Sequence, residues 1–523
     1  MELLQVIIFL LLCSVALGWI ARRMDVPYPI ALVIGGGALG FVPELPQLAF
    51  DPQFLLVLVL PPILYQAALL TSWRDFKANL RPISLLAIGL VIVTTLAIGV
   101  AVKLLIPDVP WAAAFVLGAI VSPPDAVAAT SILSKLTIPR RVVTVLEGES
   151  LVNDASGLVL YKFAVAAVLT GTFSLFDAGV QFAVVSIGGI AIGILLGGVF
   201  IFIHRYLNDA ITEVLLSLSI PYVAYTLAES MHLSGVLAVV AAGLVRGRYS
   251  PEIVSAEMRI MARSVWNIFV FLLNSLIFML IGMQLSAIVG RLKGYSLEEL
   301  AGYGLVVSLV AILVRFLWVY PVVYLPRWMS ASVRARDPLP PSANTFILSW
   351  CGMRGIVSLA AALALPATID NGAPFPYRDL IIFLTFVVIA VTLVLQGLTL
   401  SPLIRRLKVG SDFSAHAEHS HARAAMGEAA VAAIDKMALE ENLPADVTAR
   451  IHGEFAQDAL VVVPHGSDAS DAADDAVDHG RRLRLAAIKA QRTELIAVWR
   501  QNQISDDVMH HLEEELDYHE ARL

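Results

Sequence analysis

Apolar stretches of about 17–25 residues, the length of helix that crosses the hydrocarbon core of a bilayer, recur along most of this chain. They are marked at approximately 2–20, 27–43, 53–71, 82–104, 111–133, 142–169, 179–204, 210–229, 234–247, 264–286, 300–326, 342–365 and 379–403. Because backbone polar groups find no water in lipid, segments of this length must satisfy them internally as helix. The pattern therefore predicts an all-α polytopic membrane protein with about thirteen transmembrane helices. Composition agrees, with 58% hydrophobic and 15% charged residues against about 25% charged in soluble domains. An ordinary soluble enzyme is excluded. The two cysteines, Cys13 and Cys351, both sit in apolar runs and offer neither a disulfide framework nor a Cys-based metal spacing.

Charge divides the chain in two. Residues 409–523 hold ten Lys and Arg against 22 Asp and Glu, whereas residues 1–408 hold 26 against 21. A transmembrane domain over 1–408 and an acidic cytoplasmic regulatory region over 409–523 are expected. Basic residues follow the odd-numbered spans, among them Arg22-Arg23, Arg140-Arg141, Arg205, Arg327 and Arg405-Arg406. Cytoplasmic loops are enriched in Lys and Arg, so the N-terminus is expected outside, the tail in the cytoplasm, and the protein in the cell's inner (plasma) membrane. The opening Met1-Glu2-Leu3 lacks a basic n-region, and the first span reads as retained.

Two spans are interrupted in their middles, each with a charge at the break. The fifth contains Ser122-Pro123-Pro124-Asp125 and the twelfth Gly352-Met353-Arg354-Gly355. Irregular backbone at membrane depth persists only inside protein or beside a wet cavity. Paired interruptions in corresponding positions of two halves point to a transporter binding site, and the offset of seven spans suggests inverted repeats.

Ionisable groups inside spans are functional candidates by default. The sixth span carries Glu149, Ser150, Asn153 and Asp154. Ser150 and Asp154 are four apart and share a helix face, as do Glu149 and Asn153. A buried carboxylate with a hydroxyl one turn away offers hard oxygen ligands and can take either a proton or a cation. Asp125 has a second reading, since an acid after two prolines can cap the resumed half-helix. Complementary charge at depth predicts an ion pair between Glu149 and Arg354. Glu147, Lys162, Glu213, Glu229 and Arg315 read as lying nearer span ends, where interfacial placement accounts for them. Gln66, after Pro61-Pro62, is expected to hydrogen-bond a neighbouring span.

Glu-Ser-Leu-Val-Asn-Asp ending at Asp154, Asp125 twenty-nine positions upstream, Leu60-Pro61-Pro62 and Met353-Arg354-Gly355 together resemble the sodium/proton antiporters of the monovalent cation:proton antiporter-1 family. The resemblance spans about residues 5–405. It implies an inverted-repeat fold with two crossed discontinuous helices, a dimerisation domain and a core domain. Asp154 is then the ion- and proton-binding carboxylate, and Asp125, Ser150 and the unwound backbone near Ser122, Pro124 and Gly352 help hold the ion. Asn153 orients the site, and Glu149–Arg354 is the salt bridge of the core. The chain departs from the family at Gln66, where many bacterial relatives carry an acid, so that a contact with Asn153 becomes amide to amide. It departs again at Pro-Pro-Asp-Ala, where Asp followed by Pro is usual.

The resemblance implies exchange of a monovalent cation for protons, sodium foremost with lithium and potassium as alternatives, in pH and sodium homeostasis. Asn153 cannot titrate, which predicts one-for-one electroneutral exchange. The only metal expected is the transported cation, at Asp154 and Asp125. No cofactor, enzymatic activity or nucleic-acid partner is implied, and the expected partners are the ions, the bilayer and a second copy in a homodimer. A cation channel or sensor is the competing class. An intramembrane aspartyl protease would need a different context around its acids.

Nine of the eleven histidines lie in the tail. Histidine titrates in the physiological range, so the tail reads either as a pH-sensing region or as a solvated acidic domain packed on itself or its dimer mate. A metal site at His416, His419 and His421 has no supporting ligand spacing. Helix is expected over 424–441 and 481–521, separated by Pro464-His465-Gly466-Ser467 and an Asp-rich segment.

Overall fold

A computed structural model describes residues 2–24, 26–42, 52–133, 136, 138–171, 174–207, 209–292, 294–369, 372–409, 414–457 and 473–523. Among them the chain is helical, with one isolated bridge between Thr368 and Pro374. Of the described helices, seven are long and apolar enough to cross a membrane: Leu80–Leu105, Arg140–Thr170, Phe176–His204, Ala210–Ser230, Ala256–Gly290, Leu297–Met329 and Arg378–Leu407. Of the other apolar stretches, the first forms Glu2–Arg23, and the rest form shorter helices, such as Tyr28–Gly40, or interrupted pairs. Outward faces remain apolar. Ile187, Leu195, Leu313 and Leu317 are exposed, as expected of side chains solvated by lipid rather than water.

Local chemistry sets the ends of these helices. Ser296 and Glu299 form a reciprocal capping box at the start of Leu297–Met329. Arg140–Thr170 stops at Gly171, whose φ of 71° is the left-handed conformation that favours glycine. The fifth stretch becomes Trp111–Val121 and Ala126–Leu133, and the twelfth becomes Ser342–Trp350 and Ile356–Leu363. The breaks fall where Pro123-Pro124 and Gly352-Gly355 place them. Two helices also carry wider π turns, at Leu85–Leu90 and Thr392–Gln396.

The chain divides into two compact units. The first comprises residues 1–200, 218–248 and 267–411, and the second 201–217, 249–266 and 412–523. In the first, Tyr28–Gly40 and Ala256–Arg291 approach so closely that a Cβ on Gly282 would lie 2.2 Å from the Val33 carbonyl oxygen. Asp337, in the loop after Ala331–Arg336, accepts from Arg141 at 2.6 and 3.0 Å and from Arg327 at 2.5 Å. It thereby ties the start of one long helix to the end of another. The hydrogen bond from Arg141, aided by Arg327, lowers the Asp337 carboxyl to about 2.

In the second unit Met426, Leu495, Leu512 and Leu516 form one apolar centre, and Ile434, Ile451 and Leu483 another. The single helix expected over 481–521 is instead two, Ala473–Arg500 and Asp506–Glu520, because Asn502 takes a positive φ of 60° and Ser505 caps the new helix. The Pro464–Ser467 break, Asp468 and Asp471 lie outside the described residues, whereas Asp474, Asp475 and Asp478, expected in the separating segment, fall in the helix Ala473–Arg500.

Gly282→Ala forces carbon against backbone and should destabilise the protein by roughly 1–3 kcal/mol, read as a lowered thermal midpoint in detergent. Gly179→Ala, where an added Cβ meets nothing within 4 Å, should not. The depressed Asp337 carboxyl stabilises the fold above its unfolded value near 3.8 and loses that contribution as pH falls towards about 2. Asp337→Asn should therefore flatten the acid limb of a stability–pH curve.

Candidate functional site

Breaking a helix in mid-membrane orphans amides at one half-helix and carbonyls at the other. The first unit brings both breaks together and supplies partners for these groups. The Asp125 amide donates to the Met353 carbonyl at 2.7 Å. Asp125 Oδ1 accepts from the Val127 amide at 2.8 Å, and Oδ2 accepts from the Ile356 amide at 3.4 Å. One carboxylate thus caps the N-terminal ends of both resumed half-helices. A Cβ on Gly355 would lie 1.7 Å from Asp125 Oδ2, so glycine is needed for this approach.

Arginines close the carbonyl ends. Arg354 Nε donates to the Val121 carbonyl at 2.8 Å, and Nη1 donates to the Gly352 carbonyl. The Arg354 amide donates to Thr392 Oγ1 at 3.0 Å, in one of the π turns. Arg315 donates to the Leu348 carbonyl from Nε at 3.2 Å and from Nη2 at 3.1 Å.

The ion pair is not the expected one. Glu149 holds Arg315 in a fork of 2.5 and 2.7 Å, and both side chains are buried. Arg354 has no ion-pair partner among the described residues. The physical reason is depth: Arg315 lies midway along Leu297–Met329 rather than near its end, where its fork serves a carboxylate and a helix terminus together. Arg354 is occupied with carbonyls. The signal that could have identified Arg315 is its sequence position, thirteen residues past Gly302 and six before Pro321 in an otherwise uncharged run.

Helix Arg140–Thr170 presents the remaining residues. Asn153 Nδ2 donates to the Pro124 carbonyl at 2.8 Å, using the acceptor that proline retains. Ser156 Oγ donates to the carbonyls of Ala87, in the other π turn, and of Asn153. Gln66 donates to Asn267 Oδ1 at 3.2 Å, so the amide contact expected with Asn153 is replaced by one to a different helix. Ser122 is buried and donates to the Ala119 carbonyl at 3.0 Å; Ser150 is half-buried. Lys162 and Glu229 pair at 3.1 Å near the surface, whereas Glu213 is buried against His204 at 3.4 Å. Thr392, Ser156 and Arg315 belong to the crossing although no motif marked them.

Asp154 is buried and has no ion-pair partner among the described residues, and Asp125 lies within reach of its charge. At the crossing three carboxylates, Asp125, Glu149 and Asp154, therefore face two guanidiniums, Arg315 and Arg354. One negative charge is left over.

A polytopic helical fold with two interrupted helices meeting beside an unpaired buried carboxylate is that of a cation transporter. The pattern of the family described as sodium/hydrogen exchanger, transmembrane, matches residues 7–406. The chain belongs to that family. It is 35% identical over 525 residues to an uncharacterized Na(+)/H(+) exchanger of Mycobacterium tuberculosis, covering 99% of this chain and 96% of that one. It is 34% identical over 409 residues to the sodium, potassium, lithium and rubidium/H(+) antiporter of Bacillus subtilis, covering 75% of this chain and 60% of that one. Among solved structures, the sodium proton antiporter MjNhaP1 of Methanocaldococcus jannaschii at pH 8 aligns with a TM-score of 0.62 at 20% identity, over 78% of this chain and 99% of that one.

Removing one member of a buried ion pair leaves the other uncompensated and costs about 3–5 kcal/mol, whereas replacing both with apolar residues is often neutral. Arg315→Met should accordingly lower the thermal midpoint of the purified protein sharply, and Glu149→Leu with Arg315→Met should recover much of the loss. The same double change at Glu149 and Arg354 should show no such rescue.

Proposed function

We propose that this chain exchanges a monovalent cation, sodium foremost, for protons, with Asp154 as the group at which they compete. The observation that carries the reading is that Asp154 is buried without an ion-pair partner among the described residues, beside a crossing where Arg315 holds Glu149 and backbone amides hold Asp125. Burying that charge is costly, so the site is stable at depth when it holds either a proton or a cation. A proton removes the charge that draws the cation, and a dehydrated cation displaces the proton. If only the neutralised site crosses the low-dielectric barrier between inward and outward states, the empty site is held back by its desolvation cost and leak is suppressed.

Asp125 and Ser150 assist the ion. Both Asp125 oxygens already accept an amide, but each keeps a further lone pair. Asn153 fixes the Pro124 carbonyl and carries no proton, so one proton moves per monovalent cation and the exchange is electroneutral. The unwound backbone at Ser122, Pro124 and Gly352 supports the site through its dipoles, and Glu149 with Arg315 holds the two halves in register. The role is transport of ions in pH and sodium homeostasis rather than catalysis, and it needs no cofactor. The protein acts as a homodimer in the plasma membrane, with its N-terminus outside and residues 409–523 in the cytoplasm. Potassium is the second candidate ion, supported by the ion range in the name of the Bacillus subtilis relative.

The experiment is proton movement in proteoliposomes under an imposed pH gradient, with sodium, lithium or potassium added in turn, with and without a valinomycin-clamped potential. Each transported cation should trigger proton movement in the wild type that is insensitive to the clamp and absent in Asp154→Asn. Flux that follows the potential would overturn the electroneutral reading, and cation flux without a counter-ion would favour a channel.

A further inference from the structure

The second unit holds a group of ligating side chains that the transport reading does not use. His511 and Glu515 are four apart on Asp506–Glu520 and therefore share a helix face. His419 reaches the same place from Ser414–Glu441. One ligand atom from each of the three lies within 4.8 Å of the others. The imidazole centroids of His419 and His511 are 5.5 Å apart, and His511 Nε2 stands 3.4 Å from Glu515 Oε1. His511 is largely exposed, with 62% of its side chain accessible, so the group is open to water.

We propose that His419, His511 and Glu515 form a binding site for a divalent transition-metal cation of the Zn2+ class, which staples the first helix of the tail to its last. The donor set selects the ion. Two imidazoles and one carboxylate with water as a fourth ligand suit Zn2+ and its neighbours, whereas transported alkali cations and Mg2+ prefer oxygen alone. Zinc bonds of about 2.0–2.2 Å require the three groups to draw in from their present spacing, a movement within reach of side-chain rotation. Arg423, four residues after His419, donates to both Glu515 oxygens at 3.1 and 3.0 Å. It must yield one oxygen to the metal and can keep the other, the arrangement in which an outer partner orients a ligating carboxylate. Its positive charge opposes the ion, so Arg423→Gln should tighten binding.

This group shares only His419 with the trio His416, His419 and His421, for which the sequence offers no supporting ligand spacing. His421 Nε2 lies 2.9 Å from Gln503 Oε1, and the side chain of His416 lies outside the described residues. Stapling has a mechanical consequence within this unit. Residues two apart on a helix face opposite sides, and the other side of Asp506–Glu520 bears Glu513 and Asp517. Asp517 accepts from Arg259 at 2.5 and 2.7 Å, Glu513 lies 3.4 Å from the same guanidinium, and Glu514 pairs with Arg263. Both arginines stand at the start of the membrane helix Ala256–Arg291. A metal that fixes Asp506–Glu520 thus fixes the element that grips that helix.

The test is equilibrium dialysis of chelator-stripped, full-length protein in detergent against Zn2+, with hydrogen exchange measured on the same samples. The wild type should bind one Zn2+ per chain more tightly than any residual sites, and His419→Ala and His511→Ala should each weaken it by about tenfold or more. His452→Ala, whose imidazole stands by Asp435 instead, should leave it unchanged. Zn2+ should slow amide exchange within 414–441 and 506–520 in the wild type and not in His511→Ala. His511 is exposed, so its variant is expected to keep the wild-type far-ultraviolet spectrum. Equal Zn2+ affinity in wild type and His511→Ala, or binding without altered exchange in those helices, would overturn the proposal.

Discussion

The structure depends on how it treats the backbone where two membrane helices stop and restart. Each interruption exposes amides and carbonyls at a depth where water cannot reach them, and every such group left alone costs several kcal/mol. The solution is to set the two breaks against each other and divide the task by charge. Asp125 takes the amide ends of both resumed half-helices, Arg354 takes the Val121 carbonyl, Arg315 takes the Leu348 carbonyl, and Asn153 takes the Pro124 carbonyl. Acids at helix N-termini and bases at C-termini also complement the helix dipoles. The charges that make this region look like an ion site are in large part what makes its backbone tenable.

That division explains why Asp154 stands apart. Glu149 is spent on Arg315 in a buried fork, and Asp125 is spent on amides. Asp154 sits one residue from Asn153 on the same helix, yet Arg315 serves Glu149 and Arg354 serves backbone carbonyls. A protein that needed only stability would replace such a carboxylate with an apolar residue. On the proposed role its compensating charge arrives from solution, as a proton on one half of the cycle and a cation on the other.

The tail helices of the second unit pack around apolar centres of their own. They bury Met426, Leu495 and Leu512 together with the carboxylates of Glu513 and Asp517, and leave His511 exposed. The grip of Glu513 and Asp517 on Arg259 joins tail residues to a membrane helix through charge-assisted hydrogen bonds, a link that a pattern of hydropathy does not reveal.

Much of this was legible from the chain alone, because lipid imposes simple rules. Apolar length predicts helix, prolines and glycines predict the two breaks, and carboxylates inside spans mark Asp125, Glu149 and Asp154 together as candidates. Asp125 reads from sequence as either a ligand or a cap, and the structure shows it capping two helices at once. Partnership was not legible. Glu149 could have paired with any buried arginine, and the choice of Arg315 over Arg354 follows from which helix faces which after packing. The grouping of His419 with His511 and Glu515 arises likewise, since the two histidines stand 92 residues apart in the chain. Sequence by itself determined which stretches are helical and where charge enters the spans, since those depend on local chemistry and the solvent, whereas the burial of Arg315 and Glu213 came only with packing. Only tertiary structure decided which charges meet, because a hydrogen bond or ion pair depends on distances of a few ångströms between segments that sequence order leaves independent.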